Sequence, residues 1–357
     1  MPKPTAPYVH EAWADLPGVP FAMMHKAIMG QVKSIGLKVI DDEPNRLTVE
    51  TAHGLIGLRA GVSSETAGLV AAIDERWLFI MKNTVLAQIR SVVPHVAELI
   101  RWSDSAGEST LPPNFTFARV SEVVQLGRVF LRVTLESDDF SDHKDDSIHF
   151  RLVQPAKKGP VAWPTIAPNG SIAWPEGSSA VHKPVYTARF VDHSAHTLVT
   201  DVFVHNGGRT TQWAQDWLAG DHGRAVVGVV GPSGGGLLDG DHVLMASDET
   251  GFPAAARLLE GLPAGAVGEV LLEAEDGSNC EYPIDIPSGF NVTWLSRKSG
   301  QSLADATITA MGRHSGAKIW FAGERRQAMQ VREAAKKAQW NTQNLRVSAF
   351  WRSETEN

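Results

Sequence analysis

A single cysteine, Cys280, stands in the 357-residue chain. One thiol cannot make an intrachain disulfide, a cysteine-ligated cluster or a multi-cysteine zinc site, and such scarcity points to a reducing, cytoplasmic setting. Long apolar runs are also missing. The most apolar stretch, residues 77–99, is interrupted by Lys82, Asn83, Gln88, Arg90 and Pro94, so it reads as amphipathic helix rather than membrane span. The opening MPKPTAPYVHEAW has neither the basic nor the apolar region of a signal peptide. Positive charge is not in excess: the formal net charge of -7 argues against non-specific binding of nucleic acid. The 13 histidines contain no HExxH, and His143, His149, His193 and His196 lie scattered among strand and loop residues, so no metal site is expected. No nucleophile elbow is read either. GPSGGG at residues 231–236 fits neither the dinucleotide GxGxxG nor a phosphate loop and reads as a surface loop.

What is present divides into three parts. With 43% hydrophobic and 20% charged residues, the chain can bury two or three cores. A polar segment at residues 103–114 (SDSAGESTLPPN) and a weaker break near Thr200 separate them. The expected fold is multidomain: an α+β module over residues 1–103, an antiparallel β-barrel over 115–200 and an α/β domain with a parallel sheet over 201–357. The first has a helix over 21–35, strand-like runs near 37–40, 47–51, 55–59 and 66–73, and a long helical segment over 75–101 that breaks before Pro94. The second alternates in FTFARV, VFLRVTLES and SIHFRLVQP. In the third, strands are expected at 225–231, 242–247, 267–275, 291–295 and 318–324, with helices at 250–260, 303–311 and 325–338. Ligands of such a sheet belong at the carboxyl ends of its strands.

Four segments carry residues suited to ligands. VYTAR at 185–189 reads as a strand with an aromatic and a hydroxyl suited to a flat polar ring. Tyr186 and Thr187 adjoin, so their side chains face opposite ways unless the strand ends or bulges there. Tyr186 also fits an ordinary barrel core. HNGGRTTQW at 205–213 follows an apolar strand and opens a helix; Gly207 and Gly208 free the backbone, and Thr210 and Thr211 bring hydroxyls to the unpaired amides. Such a turn binds pyrophosphate, or it simply caps a helix. SDETGFPA sets Asp248, Glu249 and Thr250 directly after an apolar strand, although acids there also suit the helix dipole. WFAGE repeats the arrangement with Gly323 and Glu324, before a helix bearing Arg325, Arg326 and Arg332.

Taken in order, these segments resemble the siderophore-interacting protein family, flavin-dependent ferric-siderophore reductases of the ferredoxin-reductase superfamily. The resemblance covers residues 115–352. It rests on YTxR at 186–189, DxxxH at 201–205, a glycine turn ending in Trp213 and Ala214, GP at 231–232, DETxxPA at 248–254, WL at 294–295, WxAGE at 320–324 and a closing FWR at 350–352. It implies FAD on the barrel, NADPH or NADH on the sheet domain in many members, ferredoxin as electron donor in others, and a ferric siderophore as substrate. By match, Tyr186 and Thr187 would meet the isoalloxazine, and His205, Gly208, Thr210 and Thr211 would lie near the FAD phosphates. Lys183, Arg189, Asp201, Val204 and Trp351 complete the implied cofactor set, with Asp248, Glu249, Thr250, Gly323 and Glu324 on the nucleotide side. The resemblance assigns no separate catalytic or metal-ligating residue.

Two departures stand out. Where the family usually has an arginine two positions before the tyrosine, this chain has Pro184, with Lys183 beside it; where the glycine turn usually continues with proline, it has Arg209. A lysine is a point charge and not a bidentate fork. The N-terminal module, through AHGLIGL at 52–58 and its long terminal helix, resembles an accessory domain of unknown function fused to some family members.

Three functions stay open on these residues: reduction of ferric siderophores through FAD, a general NAD(P)H-dependent flavin or quinone reductase, and a non-enzymatic siderophore-binding protein. Neither nucleic acid nor membrane insertion is expected. Lys183, Arg209, Arg297 and Lys298 suit an anionic chelate or plain solubility, and Arg297 alternatively suits a phosphorylated nicotinamide nucleotide.

Overall fold

The computed structural model describes residues 8–35, 37–61, 66–104, 110–141, 143–144 and 147–353. They fall into two compact units. One takes the chain up to Phe115 together with Lys158–Val181, the other Thr116–Lys157 together with the chain from His182 onward.

The first unit begins with β1 (His10–Leu16), α1 (Phe21–Ile35), β2 (Lys38–Glu43), β3 (Arg46–Thr51), β4 (Gly54–Ala60), β5 (Thr66–Ala72), α2 (Glu75–Val92) and α3 (Pro94–Ala97). The strands form one antiparallel sheet in the order β1-β5-β4-β3-β2. Its inner face and the apolar stripes of the helices share a core that includes Leu16, Met24, Val49, Leu86 and Ile89. Asp74 starts α2 by accepting the Trp77 amide at 2.8 Å, and Pro94 ends it, as its missing N–H and fixed φ require. Strand β1 is not among the expected strands. Alternation is there, but Ala12 and Ala14 fill two of its inward positions and give little hydrophobic signal. Of the expected linker, residues 105–109 lie outside the described residues.

The chain then runs through β6 (Phe115–Leu126), β7 (Phe130–Glu136) and β8 (His149–Val153) and returns to the first unit in the two-stranded ribbon of β9 (Thr165–Ile166) and β10 (Ile172–Ala173). It continues with β11 (Val185–Thr187), β12 (Phe190–Asp192), β13 (Thr197–Phe203), α4 (Arg209–Leu218) and β14 (Val226–Ser233). The antiparallel order is β11-β8-β14-β6-β7-β13-β12. Its two edge strands are consecutive in the chain, and the residues between them tie both sides: the Ala188 amide donates to Ile148 O at 2.9 Å and the Arg189 amide to Val199 O at 2.7 Å. That closes the sheet into a barrel and leaves little open edge.

Strand β14 corrects the sequence reading. The run at 225–231 is a strand, but it pairs antiparallel with β8 and not within the parallel sheet. From Val227 to Val230 its residues are buried on both faces, and a continuous apolar run does not reveal which kind of sheet it joins.

The parallel sheet follows: β15 (His242–Asp248), α5 (Phe252–Glu260), β16 (Val267–Ala274), β17 (Phe290–Ser296), α6 (Leu303–Met311), β18 (Lys318–Glu324), α7 (Arg325–Lys337) and β19 (Leu345–Trp351). Its order, β17-β16-β15-β18-β19, reverses direction between β15 and β18. Helix α5 is buried all round from Phe252 to Leu259, as its run of alanine and leucine predicts. Phe252 stacks on Phe130 of the barrel with ring centroids 6.1 Å apart, and Phe130 meets Tyr282 at 4.4 Å. Barrel and parallel sheet therefore share one core, which fixes how their facing ends meet. Among the described residues, no helix is long and apolar enough to cross a membrane.

Candidate functional site

Where the barrel meets the carboxyl ends of the parallel strands there is a cleft of about 440 Å³. Tyr186, Thr187, Asp201, Phe203 and His205 border it from the barrel, and Thr250, Pro253, Phe350 and Trp351 from the sheet side. Strand β11 ends at Thr187, which is why two adjoining residues can both reach the cleft. Burial pushes the Tyr186 phenol above its ordinary pKa, and the phenol is hydrogen-bonded with Thr210.

Next to them stands His149, a histidine that the sequence offers only as one of several scattered ones. It is the register partner of Thr187 across β8 and β11, and its Nδ1 lies 3.3 Å from the Thr187 hydroxyl. Phe350 meets the ring edge-on at 5.7 Å, and Gly234 leaves the space that the ring needs, since a Cβ there would come within 2.4 Å of His149 Cδ2. The alternation of SIHFRLVQP marks the strand, but nothing local to it gives the register. Burial drives the His149 pKa down to about 4 from 6.5. The folded protein thus leaves this ring neutral where the unfolded chain would protonate it. Stability is full above pH 6.5 and falls as the pH drops toward 4, by at most about 3 kcal/mol from this one group. Urea unfolding at about pH 7 and about pH 4.5 is expected to show that loss, and to show less of it in His149→Gln. An identical pH slope in the variant would remove His149 from the account.

Asp201 is a wall of the cleft whose charge is already engaged. Its buried carboxylate accepts Arg132 through Nε at 2.7 Å and Nη2 at 2.9 Å, and the Tyr282 hydroxyl at 2.7 Å. The bond to Asp201 raises the Arg132 pKa, and burial raises that of Tyr282. Beyond it, α4 begins at Gly208 with no side chain capping its first amides. A Cβ at Gly208 would come within 2.6 Å of His205 Nε2 and 2.8 Å of Thr211 Oγ1, so glycine keeps this cradle open. The hydroxyls of Thr210 and Thr211 turn inward, donating to Gln154 Oε1 at 3.1 Å and to Phe203 O at 3.3 Å. What remains for an anion is the helix backbone.

Arg189, Lys183 and Val204, also singled out in the sequence, do not line the cleft, although Lys183 and Val204 adjoin residues that do. Arg189 forks onto Glu260, with Nη1 to Oε2 at 2.7 Å, and its guanidinium covers the Phe190 ring at 4.1 Å. Lys183 has its carbonyl 3.2 Å from Arg151 Nη1, and the Val204 amide donates to Val129 O at 2.8 Å. Ser233 stands in GxSxG spacing, but it ends β14, donates to His149 O at 3.2 Å and is followed by a loop, so it is no nucleophile elbow.

The strand ends of the parallel sheet gather carboxylates. Asp248 is buried and accepts the Thr250 amide at 2.9 Å, the Thr250 hydroxyl at 2.5 Å and Trp351 Nε1 at 2.6 Å. This last bond holds Trp351 at the cleft. Gly323 makes room, for a Cβ there would sit 3.1 Å from Asp248 Oδ2. Glu249 accepts the Glu275 amide at 2.8 Å, and Glu324 starts α7 by accepting the amides of Arg326 at 2.5 Å and Gln327 at 3.3 Å. Burial raises the pKa of both Asp248 and Glu273. An aromatic-walled cleft, a glycine cradle and an uncapped helix start fit a flat ring joined to a diphosphate, the shape of FAD.

Comparison with known proteins agrees. Residues 119–236 match the model of the siderophore-interacting FAD-binding domain, and residues 240–354 that of the siderophore-interacting protein. The chain belongs to the siderophore-interacting protein family. Two similar proteins are the NADPH-dependent ferric-chelate reductase of Escherichia coli and the ferric vibriobactin reductase ViuB of Vibrio cholerae. The first is 29% identical over 66% of this chain and 92% of its own length. The second is 30% identical over 48% of this chain and 63% of its own length. Among solved structures, a siderophore utilization protein from T. fusca superposes with a TM-score of 0.53 at 25% identity, covering 70% of this chain and 97% of that one. The siderophore-interacting protein SipS from Aeromonas hydrophila, at 18% identity and a TM-score of 0.53, covers 67% and 99% and bears on the fold alone. The 240–354 match lies within the barrel and parallel-sheet unit, where the cleft is, and the 119–236 match lies there too except for residues 158–181, which pack in the first unit.

Proposed function

We propose that this protein is an FAD-dependent ferric-siderophore reductase that draws hydride from a nicotinamide nucleotide and delivers electrons to chelated iron. The observation that carries the reading is the cleft between Tyr186 and Trp351, in a chain of the siderophore-interacting family. FAD, when bound, accepts two electrons as hydride and gives them up one at a time, which suits an iron that changes by a single charge. The chain's part is to bind and orient. Tyr186 offers a ring face, Thr187 with His149 offers hydrogen bonds at one edge, and Gly208 with the first amides of α4 takes the phosphates. Asp248, by holding Trp351 and Thr250, fixes the wall toward the parallel sheet. Lowering iron to the ferrous state loosens hard oxygen ligands, so the metal can leave the chelate. The lone cysteine is in keeping with a cytoplasmic site of action. Ferredoxin is the second donor that we consider.

Stopped-flow reduction of the FAD-loaded protein tests this. Nucleotide or reduced ferredoxin is expected to bleach the flavin, and a ferric siderophore to restore its absorbance faster than free flavin or quinone does. Quinone as the better oxidant would favour the general reductase reading. A protein that remains colourless with excess FAD would sink both.

A further inference from the structure

We propose that the parallel-sheet domain takes NADH in preference to NADPH, with Glu275 accepting the hydroxyls of the adenosine ribose. This rests on the reading above that a nicotinamide nucleotide is the donor. The sheet order β17-β16-β15-β18-β19 places the reversal between β15 and β18, with α5 and α7 starting beside it. A dinucleotide lies across such a reversal, its diphosphate over the first strand and its adenosine over the next. The next strand here is β16. It delivers Glu273, which is buried, and just beyond its end Glu275, which is exposed.

An acidic residue at that strand end accepts the ribose hydroxyls, whereas a free arginine nearby would accept a 2′-phosphate. Both residue types are present, and the geometry decides between them. Arg297, following β17, has Nη2 2.5 Å and Nη1 3.2 Å from Glu249, Nε 3.7 Å from Glu273 and Nη1 3.5 Å from Glu275. Its fork is closed on a carboxylate whose side chain is 3% exposed. Pulling it away would leave Glu249 buried and unpaired. Lys298 is paired with Asp276 at 2.6 Å. A 2′-phosphate would therefore approach Glu275 and Asp276 with no cation released to meet it, while a ribose bearing hydroxyls needs none.

The FAD-loaded full chain is compared with NADH and NADPH for kcat/KM of flavin reduction, and ADP with 2′,5′-ADP by calorimetric titration. NADH is expected to lead by about tenfold or more, the size of like-charge repulsion near a wet surface, and ADP to bind more tightly than 2′,5′-ADP. Glu275→Gln, an exposed substitution, is expected to raise KM for NADH with little change in kcat and to narrow the ratio. Glu249→Gln, which removes the nearest of the three carboxylates around Arg297, is expected to shift preference toward NADPH. An equal or better rate with NADPH, or a ratio untouched by Glu275→Gln, would overturn the proposal while leaving the donor reading intact. Reduction by ferredoxin alone, with no binding of either ADP species, would overturn the donor reading and the preference with it.

Discussion

Asp201→Ala is expected to lower the unfolding free energy by about 3 to 5 kcal/mol, the usual result of removing one partner from a buried ion pair. The carboxylate is completely covered and holds three donors from two other segments, two from Arg132 on β7 and one from Tyr282. Alanine leaves the Tyr282 hydroxyl without an acceptor in a residue that is only 5% exposed. Arg132 keeps a quarter of its side chain in water and can recover some hydration, which places the expected loss toward the lower value. Asp201→Asn retains an acceptor for the phenol and should fall between the two. Because Tyr282 packs on Phe130, itself a wall of the cleft, the alanine variant should also bind FAD more weakly. Urea unfolding of the two variants decides the matter; an unchanged midpoint in Asp201→Ala would mean that the pair contributes nothing net.

How much of this was legible beforehand differs by kind of information. The parallel sheet was readable because β15, β16 and β18 are largely apolar runs and β17 alternates, each followed by a turn or a helix start, and Pro94 and Asp74 announce the bounds of α2. Strand β1 was hidden by its alanines, and β19 by alternating polar residues in LRVSAFW. The barrel side of the site was legible as types of residue, Tyr186 beside Thr187 and Gly208 at a helix start, but not as partnerships. That Thr187 faces His149 depends on a strand register set by residues 38 positions apart, and that Arg297 closes on Glu249 depends on contacts across 48. Both pairings are consequences of packing. Sequence spacing alone could not distinguish a free Arg297, ready for phosphate, from one already neutralised.

Tyr186→Ala is expected to weaken FAD binding by about tenfold to a hundredfold, the range found when an aromatic that stacks on a flat heterocycle is truncated. The ring borders the cleft and packs against the barrel core, so its loss removes a face for the cofactor and opens a gap beside it. Tyr186→Phe separates the two contributions of this side chain. It keeps the ring and breaks only the link of the phenol to Thr210, whose hydroxyl still has Gln154 as acceptor at 3.1 Å. Affinity in that variant should therefore stay within a few-fold of the native protein, since one net hydrogen bond contributes about 1 kcal/mol. Titration of the apoprotein with FAD, followed by flavin fluorescence, reads both variants directly and without turnover. A phenylalanine variant as weak as the alanine one would assign the effect to the hydroxyl network behind the ring. Native affinity in both would place the flavin away from Tyr186 and dismantle the site as drawn.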